Sequence, residues 1–213
     1  MDLTNEPRMS RKVKVSLVIS AIGLIVLLVF LLLGLNRQEP VRAANAVNIG
    51  GPFTLLGTKS ELVRDSDFAG RPLLIYFGFT YCPDVCPTSL DTLGSALEKL
   101  ETLAPKAYAQ LQPLFISVDP ARDTPNAMAE YLAYFHPKII GLTGNEPQIK
   151  AIKKAYRVYA ARQPETDANG NYAVDHSSFF YLMDGAHKYA AHFDHGMSAQ
   201  ELAEKLAQKL TQR

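Results

Sequence analysis

The sequence has no tryptophan and only two cysteines, and neither sign of charge dominates: 22 Lys and Arg stand against 21 Asp and Glu. The resulting net charge of +1 gives no support to nucleic-acid binding, which needs a basic face against the phosphates. Two cysteines cannot build a disulfide framework, and Cys82 and Cys86 lie too close together to staple distant segments. Without tryptophan, the large rings of the core fall to ten Tyr and ten Phe. No internal repeat or low-complexity tract occurs. The length of 213 residues suits one domain with a proper core plus an anchor.

Hydrophobicity is unevenly spread. Val15 to Leu35 carries no charge and consists mainly of Leu, Ile and Val, which matches the ~20 residues a helix needs to cross a bilayer. Arg8, Arg11, Lys12 and Lys14 flank it on the N-terminal side and predict a cytoplasmic N-terminus, by the preference of basic flanks for that side. The expected plan is a cytoplasmic stretch 1–14, a single-pass anchor 15–35 in the cytoplasmic membrane, a linker 36–48 and a folded domain 49–213 in the periplasm or extracytoplasmic space. A cleaved signal peptide competes, since Ala44-Asn45-Ala46 has the small-x-small pattern. Its apolar run is longer than an ordinary signal core and ends far from that site.

Within the folded part, Phe53 to Leu56 reads as a short strand and the unbroken run Leu73 to Phe79 as a central strand buried on both faces. Leu90, Leu93, Leu97 and Leu100 predict a helix beginning near Pro87 or Thr88. A strand at Leu114 to Val118 follows, then a helix capped by Thr124-Pro125 and running through Met128, Leu132 and Phe135 until His136-Pro137. Ile139 to Leu142 is a further strand, and Ile149, Ile152, Tyr156 and Tyr159 form a helical stripe opened by Asn145 and Pro147. Asn169-Gly170 predicts the turn of an inserted hairpin, between strands near Tyr159 and Tyr172 to Val174. Phe179 to Met183 and Tyr189 to Phe193 make a second hairpin, and Leu202, Leu206 and Leu210 mark a closing helix. This order fits an α/β, thioredoxin-like fold: a central mixed sheet flanked by helices, with an inserted β-hairpin.

The chemistry concentrates in Tyr81-Cys82-Pro83-Asp84-Val85-Cys86-Pro87, beyond the carboxyl end of the central strand, where ligands gather in open α/β sheets. Each cysteine precedes a proline and is biased toward extended dihedrals. Cys86 is expected near a helix N-cap, where unsatisfied amides favour a thiolate, and Asp84 works against that. Two soft sulfurs with one imidazole suit Cu(I), whereas zinc commonly takes a fourth ligand. The third donor must come from a distant histidine. His176 is selected because it precedes the strand Ser178 to Met183 at the same kind of strand end, with Asp175 placed to orient its ring. His136 reads as a helix C-terminal residue and His187 as a turn neighbour, while His192 and His195 are closer rivals on the loop Phe193-Asp194-His195-Gly196. The bland alternative is a structural disulfide, although closing so short a loop gains little entropy.

Three segments, Tyr76-Phe77-Gly78-Phe79-Thr80-Tyr81-Cys82-Pro83-Asp84-Val85-Cys86-Pro87, Val118-Asp119-Pro120-Ala121-Arg122-Asp123-Thr124-Pro125 and Val174-Asp175-His176-Ser177, resemble the Sco/SenC family of copper metallochaperones in order and separation. The resemblance covers about Ile49 to Leu210 and places the family's metal ligands on Cys82, Cys86 and His176. It implies a thioredoxin-like fold, an N-terminal anchor, a copper ion as cargo (Cu(I), with Cu(II) left open) and delivery to the binuclear copper centre of cytochrome c oxidase subunit II. Another copper chaperone or a thiol oxidoreductase is a further implied partner; no enzymatic turnover is implied. Asp119 and Asp123 are shared with the family but read locally, as a strand-ending turn and an acceptor for nearby amides.

Two rivals remain. A thiol-disulfide reductase would cycle Cys82 and Cys86, although thioredoxin-type motifs carry two residues between the cysteines and this loop carries three. A copper or redox sensor would use the same residues. A peroxidase is weaker still, resting only on Thr80 two positions before the first cysteine.

Overall fold

The computed structural model describes residues 20–30, 49–166 and 171–211, and the chain divides into two units, Met1–Val47 and Asn48–Arg213. In the first unit, residues 20–30 form helix α1, whose apolar side chains are exposed, Leu24 at 71% and Phe30 at 76%. No helix among the described residues is long and apolar enough to cross a membrane. The remainder of the expected anchor, residues 15–19 and 31–35, lies outside the described residues, as do the stretch 1–14, the linker 36–48 and the turn Asn169-Gly170.

The second unit is built on a seven-stranded mixed sheet. Its strands are β1 (Thr54–Gly57), β2 (Leu62–Arg64), β3 (Leu73–Gly78), β4 (Gln112–Ser117), β5 (Ile140–Thr143), β8 (Phe179–Met183) and β9 (Tyr189–Asp194), in the order β2-β1-β5-β4-β3-β8-β9. The β5-β4-β3 core is parallel; β1, β2, β8 and β9 join antiparallel. Both β3 and β4 are buried along their whole length, which explains the absence of polar alternation in their sequences. Burial of each Leu, Ile or Phe here contributes about 1.5–3 kcal/mol before chain entropy is set against it.

Among the described residues the unit also has a 3-10 turn (Asp65–Phe68) and five α-helices: α2 (Val85–Leu103), α3 (Pro105–Gln110), α4 (Pro125–Leu132), α5 (Glu146–Tyr156) and α6 (Ala199–Thr211). The leucine stripe of α2 is buried, and α6 packs on α2 through the buried Leu202 and Leu206. α2 and α4 cover the sheet face that carries Tyr76 and Gly78. The Tyr156 ring of α5 meets Phe77 on the opposite face. The remaining strands, β6 (Ala160–Thr166) and β7 (Tyr172–His176), pair only with each other and form the expected inserted hairpin.

Three boundaries depart from expectation. Helix α2 begins at Val85, not near Pro87, because a proline in the first turn lacks only an amide that would have no helical partner. Asp84 is therefore the N-cap and Cys86 lies inside the first turn. Helix α4 ends at Leu132, before Phe135. Helix α5 ends at Tyr156 because Arg157 turns left-handed (φ 55°), so Tyr159 is not on its stripe and is exposed.

Candidate metal centre

Cys82, Cys86 and His176 converge from three elements: the loop after β3, the first turn of α2 and the end of β7. One ligand atom from each lies within 4.8 Å of the others. Cys86 is buried, and Cys82 and His176 are partly exposed, so the centre opens to solvent on one side. Among the described residues no other group of three or more His, Cys, Asp and Glu residues is placed to hold an ion.

Glycine makes the convergence possible. A Cβ on Gly78 would stand 2.8 Å from Cys86 Sγ and 2.6 Å from the Phe115 ring, so a side chain at this last position of β3 would collide with both. Asp123 then fixes the chain beyond it. Its fully buried carboxylate accepts from the Thr80 amide (3.2 Å), the Thr80 hydroxyl (2.7 Å) and Ser117 Oγ (2.6 Å), tying the root of the cysteine loop to the end of β4. Burial raises the pKa of Asp123 above the usual carboxylate value, against these hydrogen bonds. The local reading of Asp123 is thus corrected: its partner Thr80 is 43 residues away.

Asp119 also reaches further than a turn. It accepts from Arg122 Nε (2.5 Å) and from the Tyr172 hydroxyl of β7 (2.7 Å). The Arg122 guanidinium lies over the rings of Tyr172 (3.7 Å) and Tyr81 (4.7 Å), a cation–π clamp that joins the hairpin to the cysteine loop.

The two sulfurs are inequivalent. The Cys86 amide donates to Cys82 Sγ at 3.3 Å, so the sulfur serves as a cap for the first turn of α2. The Cys86 thiol first, and then that amide, favour the charged form and hold the Cys82 pKa down at about 4, against partial burial. Cys86 is pushed far up, first by its hydrogen bond to Cys82 and then by burial. The expectation of a thiolate at Cys86 is therefore reversed for the metal-free protein: Cys82 carries the charge and Cys86 the proton.

His176 Nε2 lies 3.4 Å from Cys86 Sγ, and Nδ1 lies 3.1 Å from the Ser177 carbonyl oxygen. A carbonyl can only accept, which assigns the proton to Nδ1 and leaves the Nε2 lone pair facing the sulfurs. The rings of Phe79 and Tyr76 stand edge-on to the imidazole at centroid distances of 5.7 and 6.3 Å. Asp175 does not orient His176. Successive residues of β7 point to opposite sides, and Asp175 accepts from Gln163 on the exposed one.

The other histidines are engaged elsewhere. His192 contacts Tyr189 and stands edge-on to Phe179, His195 pairs with Asp194 (3.6 Å), His136 accepts from the Lys138 amide (3.2 Å), and His187 approaches the Phe68 carbonyl (3.3 Å).

The fold and this arrangement define a thioredoxin-like domain with a soft Cys-Cys-His centre at the sheet end. Residues 41–211 match the SCO1/SenC family model, and the chain belongs to that family. A SCO2-like protein of Rickettsia felis is 43% identical over 204 residues, covering 92% of this chain and 97% of its own length. The copper-bound crystal structure of Arabidopsis thaliana ScoI is 37% identical with a TM-score of 0.72, over 78% of this chain and 99% of that one. The copper-bound ScoI of Bradyrhizobium japonicum is 40% identical with a TM-score of 0.67, over 76% and 99%.

Proposed function

We propose that this protein is a membrane-anchored copper metallochaperone, which holds one copper ion through Cys82, Cys86 and His176 and passes it to the binuclear copper site of cytochrome c oxidase subunit II. The observation that carries this reading is the gathering of two sulfurs and one unprotonated imidazole nitrogen within 4.8 Å. That donor set fits Cu(I): thiolate and imidazole are its preferred ligands and three suffice. The copper-bound relatives support the same choice.

Loading begins at Cys82, the sulfur that is both ionised and reachable. Cys86 must then lose its proton; the adjacent His176 Nε2 (3.4 Å) is placed to take it and, being partly exposed, passes it to solvent before that nitrogen is free to ligate. Release runs by ligand exchange: the partly exposed Cys82 and His176 are replaced first by an acceptor's cysteines and histidines, and the buried Cys86 last. No covalent bond of a substrate is made or broken.

The exposed apolar surface of α1 supports an anchor at 15–35, and the basic flank Arg8, Arg11, Lys12 and Lys14 supports a domain on the far side of the cytoplasmic membrane. The test of the anchor is fractionation: the chain should resist carbonate extraction and remain accessible to protease from the periplasmic side. Extraction into the soluble fraction would contradict it.

Thiol-disulfide reduction is the second reading, favoured by one observation, a Cys82 thiolate at about pKa 4 beside a protonated Cys86. His176→Ala separates the two, because dithiol exchange needs no third ligand. The chaperone reading expects loss of tight copper binding with reduction of a disulfide peptide intact.

A further inference from the structure

Among the described residues, two buried hydroxyls beside the centre, Tyr76 Oη and Tyr131 Oη, make no hydrogen bond of normal length and angle. Buried polar atoms are almost always satisfied, so an orphan at the edge of a site points to a partner acquired in another state of that site. Tyr76 is the deeper of the two, with its side chain wholly buried.

The strand defines where that hydroxyl stands. Tyr76 and Gly78 are two apart on β3 and share a face, the one against which Cys86 Sγ is pressed. On it the Tyr76 ring packs beside Phe115 (centroids 6.3 Å apart), Phe180 (5.0 Å) and His176 (6.3 Å). Two hydroxyls also approach Tyr76, and each donates elsewhere: Ser89 to the Val85 carbonyl at 2.6 Å and Ser178 to the His176 carbonyl at 3.4 Å, so their lone pairs are the rival acceptors for the phenol. A phenol keeps its proton across the physiological range, so Tyr76 is available as a donor.

A neutral thiol is a weak acceptor, whereas a thiolate is a strong one. We propose that Tyr76 is a positioning residue whose hydroxyl donates to the Cys86 sulfur in its metal-ligating thiolate form, and so sets how tightly the centre holds its cargo. The proposal rests on the reading of this site as a copper centre. It accounts for a tyrosine where phenylalanine would pack equally well and leave no orphan.

The test uses the reduced full chain in detergent micelles, with Cu(I) competed against a chromophoric chelator. Tyr76→Phe should lower Cu(I) affinity by about 10- to 100-fold, the worth of one hydrogen bond to a charged group. The thermal midpoint of the metal-free protein should stay level or rise, because the substitution removes only the orphan. Tyr156→Phe, on the opposite face against Phe77, should bind as wild type. Wild-type affinity in Tyr76→Phe overturns the proposal, and so does a loss of affinity matched by a fall in the metal-free midpoint. If the wild type holds no Cu(I), the copper reading falls. Tyr76 is then judged by Cd(II), through its sulfur-to-metal absorption, with the same outcomes deciding.

Discussion

Gly78→Ala probes the geometry of the centre most sharply, because it adds one carbon at a known place. That carbon would sit 2.8 Å from Cys86 Sγ and 2.6 Å from Phe115 Cε2, both inside normal contact. Neither neighbour can yield cheaply. Cys86 is held in the first turn of α2 with no exposed surface, and the Phe115 ring is buried between the rings of Tyr76 and Tyr131. Overpacking of this kind costs about 1–3 kcal/mol. Loss of unfolded-state freedom on replacing glycine offsets about 0.4–1 kcal/mol. The two ranges net to a loss of up to about 2.6 kcal/mol, and their midpoint of about 1.3 kcal/mol corresponds to a fall of roughly 3–5 °C in melting temperature for a domain of this size. Cys86 Sγ must also move relative to His176 Nε2, now 3.4 Å away, so Cu(I) affinity should fall by about tenfold, equivalent to about 1.4 kcal/mol. Calorimetry and chelator competition read the two effects separately. Gly51→Ala is the control, since its Cβ would meet Ala155 at an ordinary 3.4 Å. Unchanged melting and unchanged copper affinity in Gly78→Ala would refute the close-approach argument.

Asp123→Ala strips the acceptor from Thr80 N, Thr80 Oγ1 and Ser117 Oγ, and at about 1–3 kcal/mol for each unsatisfied donor the urea midpoint should drop markedly. A change within error would mean the loop root is held by something else. Thr124→Ala removes the side-chain cap of α4, which accepts from the Ala127 amide, and should cost about 1 kcal/mol by denaturant titration without altering copper binding. Alkylation of Cys82 by iodoacetamide should stay fast as pH falls from neutral and halve only near pH 4, while Cys86 remains protected. The sign for stability follows from a folded value below the ordinary thiol value of 9.0: the contribution of the Cys82 thiolate is full above that value and is lost as pH falls through about 4. An ordinary thiol profile would contradict the assignment of charge to Cys82.

Much of this architecture is legible from local pattern. The run Leu73 to Phe79 reads as an interior strand because a strand covered on both faces has no reason to alternate, and β3 is buried throughout. Thr124-Pro125 and Asn145 before Pro147 mark helix starts because their side-chain oxygens accept from amides three residues on, as both do here. The start of α2 escaped because its first turn is capped by a sulfur, a residue type outside the usual capping set. The end of α5 escaped because the left-handed residue is Arg157, with no glycine to announce it. The reach of Asp123 to Thr80 depends on which strand ends the sheet brings together, information that no local window contains. The Asp175 misassignment was avoidable, since strand alternation alone puts Asp175 and His176 on opposite sides.

The central claim is that Cys82, Cys86 and His176 act together as one copper site. Its most direct test is the Cu(I) stoichiometry of the reduced full chain in micelles under chelator competition, beside Cys82→Ala, Cys86→Ala and His176→Ala. One equivalent in the wild type, lost in each variant, is the expected result. Wild-type affinity retained in His176→Ala would contradict the three-ligand centre, and a wild type that binds no copper yet reduces an oxidised cysteine peptide would make the protein a dithiol reductase instead.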